Sequence, residues 1–415
     1  MNNLPNPLRI NSLLTVLALL AALTSVTVNA STLASHRSLW CDEATLDEAI
    51  HEIGDDLVLR SEEGKPLGAS LLALSGGGSR GSWGAGFLAG WQDIEEEQRV
   101  FDLVTGVSVG ALLSTYSYIG DWKGLAEVME NIRNRDVFRK RFPVLWPLYA
   151  TSAFNNKPLA KTLVKTIGPE QLRAVAQRIE PGLLCVATVE IATGQLVKWN
   201  LTGIAEKFVE AEDDATAETW LALYRKILVA ATSVPGAFPP QNIVMPDFAT
   251  DEPLPFGRES WHIDAGVRTQ VFGDFGNSEL INLYADFLDL VEEMDSGSLL
   301  GPAEIVLIIN GPSSVETDWT PPRRGFLPLL KYATRSLNLI LNQTALDSRE
   351  RLIEGIRLRL GEPGEGRWHL RMASMTKDEL LDCGALSFKC AGDYFLEGEG
   401  RGHALAWDES SDLER

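Results

Sequence analysis

The sequence predicts an α/β layered domain around a mostly parallel sheet. Two observations carry this. Short apolar runs with strand character alternate along the chain with segments of helical spacing, the pattern of strands joined by crossover helices. Two of the strand-to-helix passages, near positions 76 and 108, are made through glycine-rich turns. With 415 residues, 45% of them hydrophobic, there is ample material for one large core.

In chain order, Leu71 to Ser75 reads as a strand, Gly84 to Glu97 as a helix, and Phe101 to Val107 as a second strand. A helix follows from Val109 to Tyr118, then others over Trp122 to Arg133 and Pro158 to Val164. Leu183 to Ile191 and Leu196 to Trp199 alternate like paired strands, with Thr193-Gly194 as the turn between them. Thr219 to Ala231 is helical, Trp261 to Asp264 and Ile305 to Ile309 are short strands, Leu327 to Leu360 has long helical periodicity, and Trp368 to Met372 closes as a strand. No repeat or interdomain linker interrupts this order. It predicts one catalytic domain over residues 68–405, an N-terminal extension over 31–67 and a polar tail over 406–415.

The first 30 residues read as an export signal. Arg9 precedes the apolar run Leu13 to Val28, and Val28-Asn29-Ala30 offers small residues at a cleavable spacing. The expectation is an exported protein, periplasmic or secreted. The alternative is an uncleaved anchor, for which the run is short against the ~20 residues a bilayer span needs. Of the cysteines Cys41, Cys185, Cys383 and Cys390, the last two are close enough for a short loop closure, while Cys185 in "LLCVATVEI" reads as a buried thiol. Their spacings do not suggest a zinc site, and no cofactor or metal is expected.

The net charge of −20 opposes long-range approach to nucleic acid and to acidic lipid surfaces, and no nucleic acid is expected as a partner. Any lipid contact must rest on apolar surface or on local patches. Phe142 to Phe154, rich in aromatics, and Phe326 to Leu341 are the candidate surfaces, with core packing as the alternative for each.

Gly76, Gly78 and Gly81 satisfy a dinucleotide-type G-x-G-x-x-G. A nucleotide-binding unit would place an acidic residue at the end of the next strand. Here that strand instead runs into Gly106-Val107-Ser108-Val109-Gly110, a G-x-S-x-G between strand and helix, the context of a nucleophile elbow. The unobstructed N–H groups of the first loop then suit an oxyanion that exists only in a transition state. A base for Ser108 is offered by Asp264, at the end of the strand in "WHIDAGVRTQ", or by the nearby His262.

Taken together these residues resemble the patatin-like phospholipases, whose pattern is G-G-G-x-[RK]-G, then G-x-S-x-G, then D-G-[GA]. Gly76-Gly77-Gly78-Ser79-Arg80-Gly81 and Gly106 to Gly110 match fully. Asp264-Ala265-Gly266 departs by the methyl of Ala265, and no Asn-Pro follows Arg268. The resemblance implies a three-layer α/β/α fold and a Ser-Asp dyad, with Ser108 as nucleophile and Asp264 as base. It also implies an oxyanion loop of Gly76, Gly77 and Gly78, with Arg80 organising that loop. The implied substrate is an acyl ester of a phospholipid or other glycerolipid, met at transient membrane contact and cleaved without a metal. The other readings are an esterase that uses His262 and a non-catalytic lipid-binding relative.

Overall fold

A computed structural model describes residues 38–41, 45, 49, 52, 70–94, 99–140, 152–245, 259–273, 303–312, 326–362 and 367–375. The segments read above as an export signal and a C-terminal tail lie outside the described residues, as do Cys383, Cys390 and most of Phe142 to Phe154. Strand β1 (Ser70–Leu74) passes through a 3₁₀ turn, Gly78–Arg80, into α1 (Gly81–Ile94), and β2 (Leu103–Gly106) into α2 (Val109–Tyr118). Helices α3 (Trp122–Asn131) and α4 (Asn134–Val137) lead to the antiparallel pair β3 (Arg139–Lys140) and β4 (Phe154–Asn155). Then come α5 (Lys157–Thr166), α6 (Pro169–Ala176), β5 (Leu183–Glu190), β6 (Leu196–Asn200), α7 (Leu201–Glu210) and α8 (Asp214–Ala231). The chain continues through β7 (Gln241–Val244), β8 (Glu259–Asp264), β9 (Ala303–Pro312), α9 (Phe326–Leu360) and β10 (Trp368–Met375).

The main sheet has the order β10-β9-β1-β2-β5-β8-β7, with β6 also pairing β5. From β10 to β5 all pairings are parallel, and those of β6, β7 and β8 are antiparallel. The sheet is therefore mostly parallel, with an antiparallel end. One face buries Leu72, Leu74, Val104 and Val186 under the helices between α1 and α8. The other buries Leu71, Ala73, Leu103 and Ile305 with Leu352, Ile356 and Leu360 of α9. Alternate strand residues thus point into opposite layers, which makes the architecture α/β/α.

Local signals explain where helices begin. Asp121 accepts from Gly124 N at 2.9 Å to start α3, and Asp213 accepts from Ala215 N and Thr216 N, each at 2.9 Å, to start α8. Both satisfy donors that a helix N-terminus leaves unpaired. Helix α6 starts at a proline, and Gln171 Oε1 reaches back to Gly168 N at 2.8 Å. Among the described residues no helix is long and apolar enough to cross a membrane.

The reading of Cys185 as a buried thiol is corrected here: it is bonded to Cys41, with Cα atoms 6.3 Å apart. The residues around Cys41 run antiparallel beside β6, through Cys41 N to Lys198 O at 3.0 Å and Asn200 N to Leu39 O at 2.9 Å. This part of the N-terminal extension belongs to the core, where Leu39 is fully buried. The bridge spans 144 positions of sequence, a loop long enough that its loss should cost about 2–5 kcal/mol. Adding a reductant should accordingly lower the melting temperature, and Cys41→Ser should melt lower than the oxidised parent and lose less on reduction than the parent does.

Candidate active site

Strand β5 brings the site together. Leu183 N donates to Asp102 O at 2.8 Å beside β2, and Ile191 N to Trp261 O at 2.8 Å beside β8. Residues an even number apart in a strand point their backbone groups to the same side. Hence β2 and β8 share one edge of β5, meeting end to end. Strand β2 stops with Gly106 opposite Val186, and β8 stops with Asp264 opposite Thr188, two residues further on. Ser108, just past the end of β2, therefore comes to face Asp264.

Ser108 has φ 53° and ψ −123°, the one positive φ outside glycine among the described residues. Such a conformation costs about 1–3 kcal/mol and persists only where its surroundings enforce it. The flanking glycines show how. A side chain at 106 would meet Gly110 O at 2.7 Å and the Ala111 backbone at 2.8 Å, and one at 110 would collide with Leu74 O and meet Ser75 O at 2.8 Å. The turn is therefore closed against both β1 and α2. The Ser108 side chain does not cap α2, so its hydroxyl is not spent on the helix. That helix N-terminus adds favourable potential for negative charge at the turn.

Asp264 is 2% exposed. Its Oδ1 accepts from Gly266 N at 2.7 Å, which orients the carboxyl as the cap of the following 3₁₀ turn. Complete burial pushes its pKa up to about 7, while the Ser108 hydroxyl and the Gly266 N–H favour the charged form and oppose the shift. Yet among the described residues Oδ2 has no partner at full hydrogen-bond geometry. Serine and aspartate are thus close enough to influence each other but not clamped, a looseness usual where a substrate has still to enter.

The loop after β1 lies against this pair. A side chain at 76 would meet Ser108 Cβ at 3.1 Å, and one at 77 would strike the Asn310 carbonyl. Only glycine lets the backbone approach so closely, and Gly78 has φ 63°. The N–H groups of Gly76, Gly77 and Gly78 make no hydrogen bond among the described residues. Gly81 packs on Val109, so the two turns are in direct contact. Arg80 ends the 3₁₀ turn and its guanidinium lies near Gly311 of β9. Ala265 is fully buried, so its methyl is accommodated, and a side chain at 266 would strike Gln270.

His262 is also buried, but both ring nitrogens are engaged. Nδ1 is 2.9 Å from Thr188 Oγ1 and Nε2 is bonded to Ser260 Oγ. Trp199 Nε1 donates to the same Thr188 oxygen at 2.8 Å, and the two rings meet edge to face. Burial lowers its pKa to about 4, against the pull of Glu190, so it is neutral at physiological pH. His262→Ala should cost about 2–3 kcal/mol by orphaning buried hydroxyls, while turnover per folded molecule changes little. Thermal melts read beside specific activity separate the two effects.

Some participants escaped the sequence reading. Asn310 braces the glycine loop through Nδ2 to Ser75 O and N to Ser75 Oγ, both 2.8 Å. Gln270 spans the two loops, its Nε2 on Gly266 O at 3.1 Å and its Oε1 against Gly76. Ser233 O accepts from Asp264 N at 3.1 Å. An asparagine after the apolar run "VLII" is a signal, but nothing in the sequence pairs it with Ser75. Among the described residues no group of three or more His, Cys, Asp and Glu gathers as for a metal.

A serine on a strained strand-to-helix turn, a buried carboxylate facing it and unpaired backbone donors alongside make a layout suited to acyl transfer. Residues 72–271 match the family model described as patatin-like phospholipase. A curated relative, the cGAMP-activated phospholipase of Vibrio cholerae serotype O1, is 30% identical over 125 residues, 24% of this chain and 33% of the relative. The chain thus matches about a third of that relative's length. The crystal structure of VipD from Legionella pneumophila aligns with 66% of this chain and 53% of its own, at 12% identity and a TM-score of 0.30.

Proposed function

We propose that this protein is an exported lipid acyl hydrolase that cleaves carboxylic esters of phospholipids or other glycerolipids through Ser108 and Asp264. The observation that carries the reading is the unspent Ser108 hydroxyl, held at φ 53° opposite the buried Asp264 carboxylate. Asp264 takes the Ser108 proton as Oγ attacks the ester carbonyl. The developing oxyanion is met by N–H groups of Gly76, Gly77 and Gly78, each such donor worth about 3 kcal/mol in the transition state. Asp264 then gives the proton to the departing alcohol, leaving an acyl-serine. Water, deprotonated by Asp264, releases the fatty acid and restores the serine. His262 serves packing in this scheme, since both of its nitrogens are taken. The Cys41–Cys185 bridge supports export, because such bonds persist in oxidising compartments.

The test is incubation of the purified protein with phospholipid and neutral glycerolipid vesicles, followed by mass spectrometry of the lipids. Free fatty acid with its lysolipid or partial glyceride is expected. Lipid that is bound but remains intact would instead identify a non-catalytic lipid-binding relative.

A further inference from the structure

The charge of this acidic chain is unevenly placed. From Trp122 to Thr166, α3 through α5, there are nine Lys and Arg against three Asp and Glu, a balance of +6. The whole chain carries −20, so the remainder carries −26. The fold gathers these cations. Arg139 and Lys140 are exposed on β3, and Arg139 pairs with Asn155 of β4. Two residues on, α5 begins with Lys157, and Lys157, Lys161 and Lys165 are all exposed. Their spacing of four sets them in one stripe on the helix surface. Helix α4 closes the gap, since Thr162 Oγ1 donates to Asp136 O at 2.8 Å. None of these five cations forms an ion pair with a described residue, and Val164, beside the lysine stripe, is 57% exposed.

This surface is tied to the catalytic carboxylate. Ala153 N and Phe154 N donate to Gly236 O and Ala237 O at 2.8 and 2.9 Å, and Asn156 Nδ2 to Ser233 Oγ at 3.2 Å. Ser233 O in turn accepts from Asp264 N at 3.1 Å. A surface engaged by the lysines is therefore engaged beside the site.

We infer that the Arg139–Lys140 strand and the lysine stripe of α5 form a docking surface for anionic phospholipid bilayers. Charge complementarity names the occupant. Cations that no described residue pairs, on an otherwise strongly negative protein, orient it on an anionic plane, and an exposed valine among them adds an apolar foothold. The acidic remainder opposes any other orientation. Of the two footings the sequence leaves open for lipid contact, apolar surface or a local patch, this is the local patch. The inference rests on the proposed lipid substrate, but its test does not need hydrolysis.

The test uses full-length Ser108→Ala protein, so that vesicles stay intact, and vesicle co-sedimentation. Binding is expected to phosphatidylcholine vesicles containing phosphatidylglycerol, and to fall steeply as salt rises from about 50 mM to about 500 mM. Lys157→Gln, Lys161→Gln and Lys165→Gln together should weaken it about a hundredfold, near fivefold for each charge lost. In the protein that retains Ser108, the same three changes should leave hydrolysis of a short soluble ester unchanged. Equal binding to pure phosphatidylcholine, or no loss in the triple variant, would overturn the docking surface. So would tighter binding to duplex DNA than to the anionic vesicles. Failure of the soluble-ester assay with vesicle binding intact would strike the proposed function and leave this surface standing.

Discussion

Ser108→Ala should lower ester hydrolysis by about 10⁴-fold or more, with the melting temperature essentially kept. Loss of a nucleophile in a serine hydrolase leaves only the residual catalysis of binding and oxyanion stabilisation. No other serine among the described residues sits on a strand-to-helix turn of this conformation, since Ser108 alone combines a side chain with a positive φ. Alanine occupies the same space, so circular dichroism and melting should match the parent. Hydrolysis within about tenfold of the parent would remove Ser108 from the chemistry.

Asp264→Asn should remove activity and, in alkaline solution, stabilise the protein. Burial raises the Asp264 pKa from 3.8 to about 7. A group whose pKa is raised by folding contributes stability that is fully present below its unfolded pKa. That contribution is lost as pH rises toward the folded value. Between about pH 4 and pH 7 the folded chain still holds the proton that the unfolded chain has released, and roughly 4 kcal/mol is forfeited. Asparagine keeps the shape, can accept from Gly266 N, and carries no charge. Its advantage over the parent should therefore grow by about 3 kcal/mol from pH 5 to pH 8. Urea melts at the two pH values measure this. The same ionisation sets the parent's activity, which should rise with pH through about 7 rather than near 4. A variant advantage that is flat with pH, or an acidic limb near 4, would show that the carboxylate is not the buried base.

The strands were legible because buried parallel strands are continuous apolar runs, as in "SLLAL" and "LLCVATVE". The two glycine turns were legible because backbone crowding at 106 and 110 admits nothing larger. Strand β7, the four residues "QNIV", was too short and polar to register. Helix α7, "LTGIAEKFVE", follows β6 with no turn residue between to mark its start. The proximity of Ser108 to Asp264 depends on β5 carrying β2 and β8 along one edge, a long-range pairing no local pattern encodes. Cysteine pairing over 144 positions is equally unreadable. The lysine surface was hidden because it is assembled from separate elements and submerged in a net charge of −20.

In the proposed mechanism Ser108 is a nucleophile served by Asp264. The most direct measurement of this is the rate of labelling by a fluorophosphonate across pH, followed by peptide mapping. A single phosphonylated serine is expected, Ser108, labelled at a rate that rises through about pH 7 with Asp264. Labelling should be nearly abolished in Asp264→Asn and retained in folded His262→Ala. A label on any other serine, or a rate at Ser108 untouched by Asp264→Asn, would contradict it.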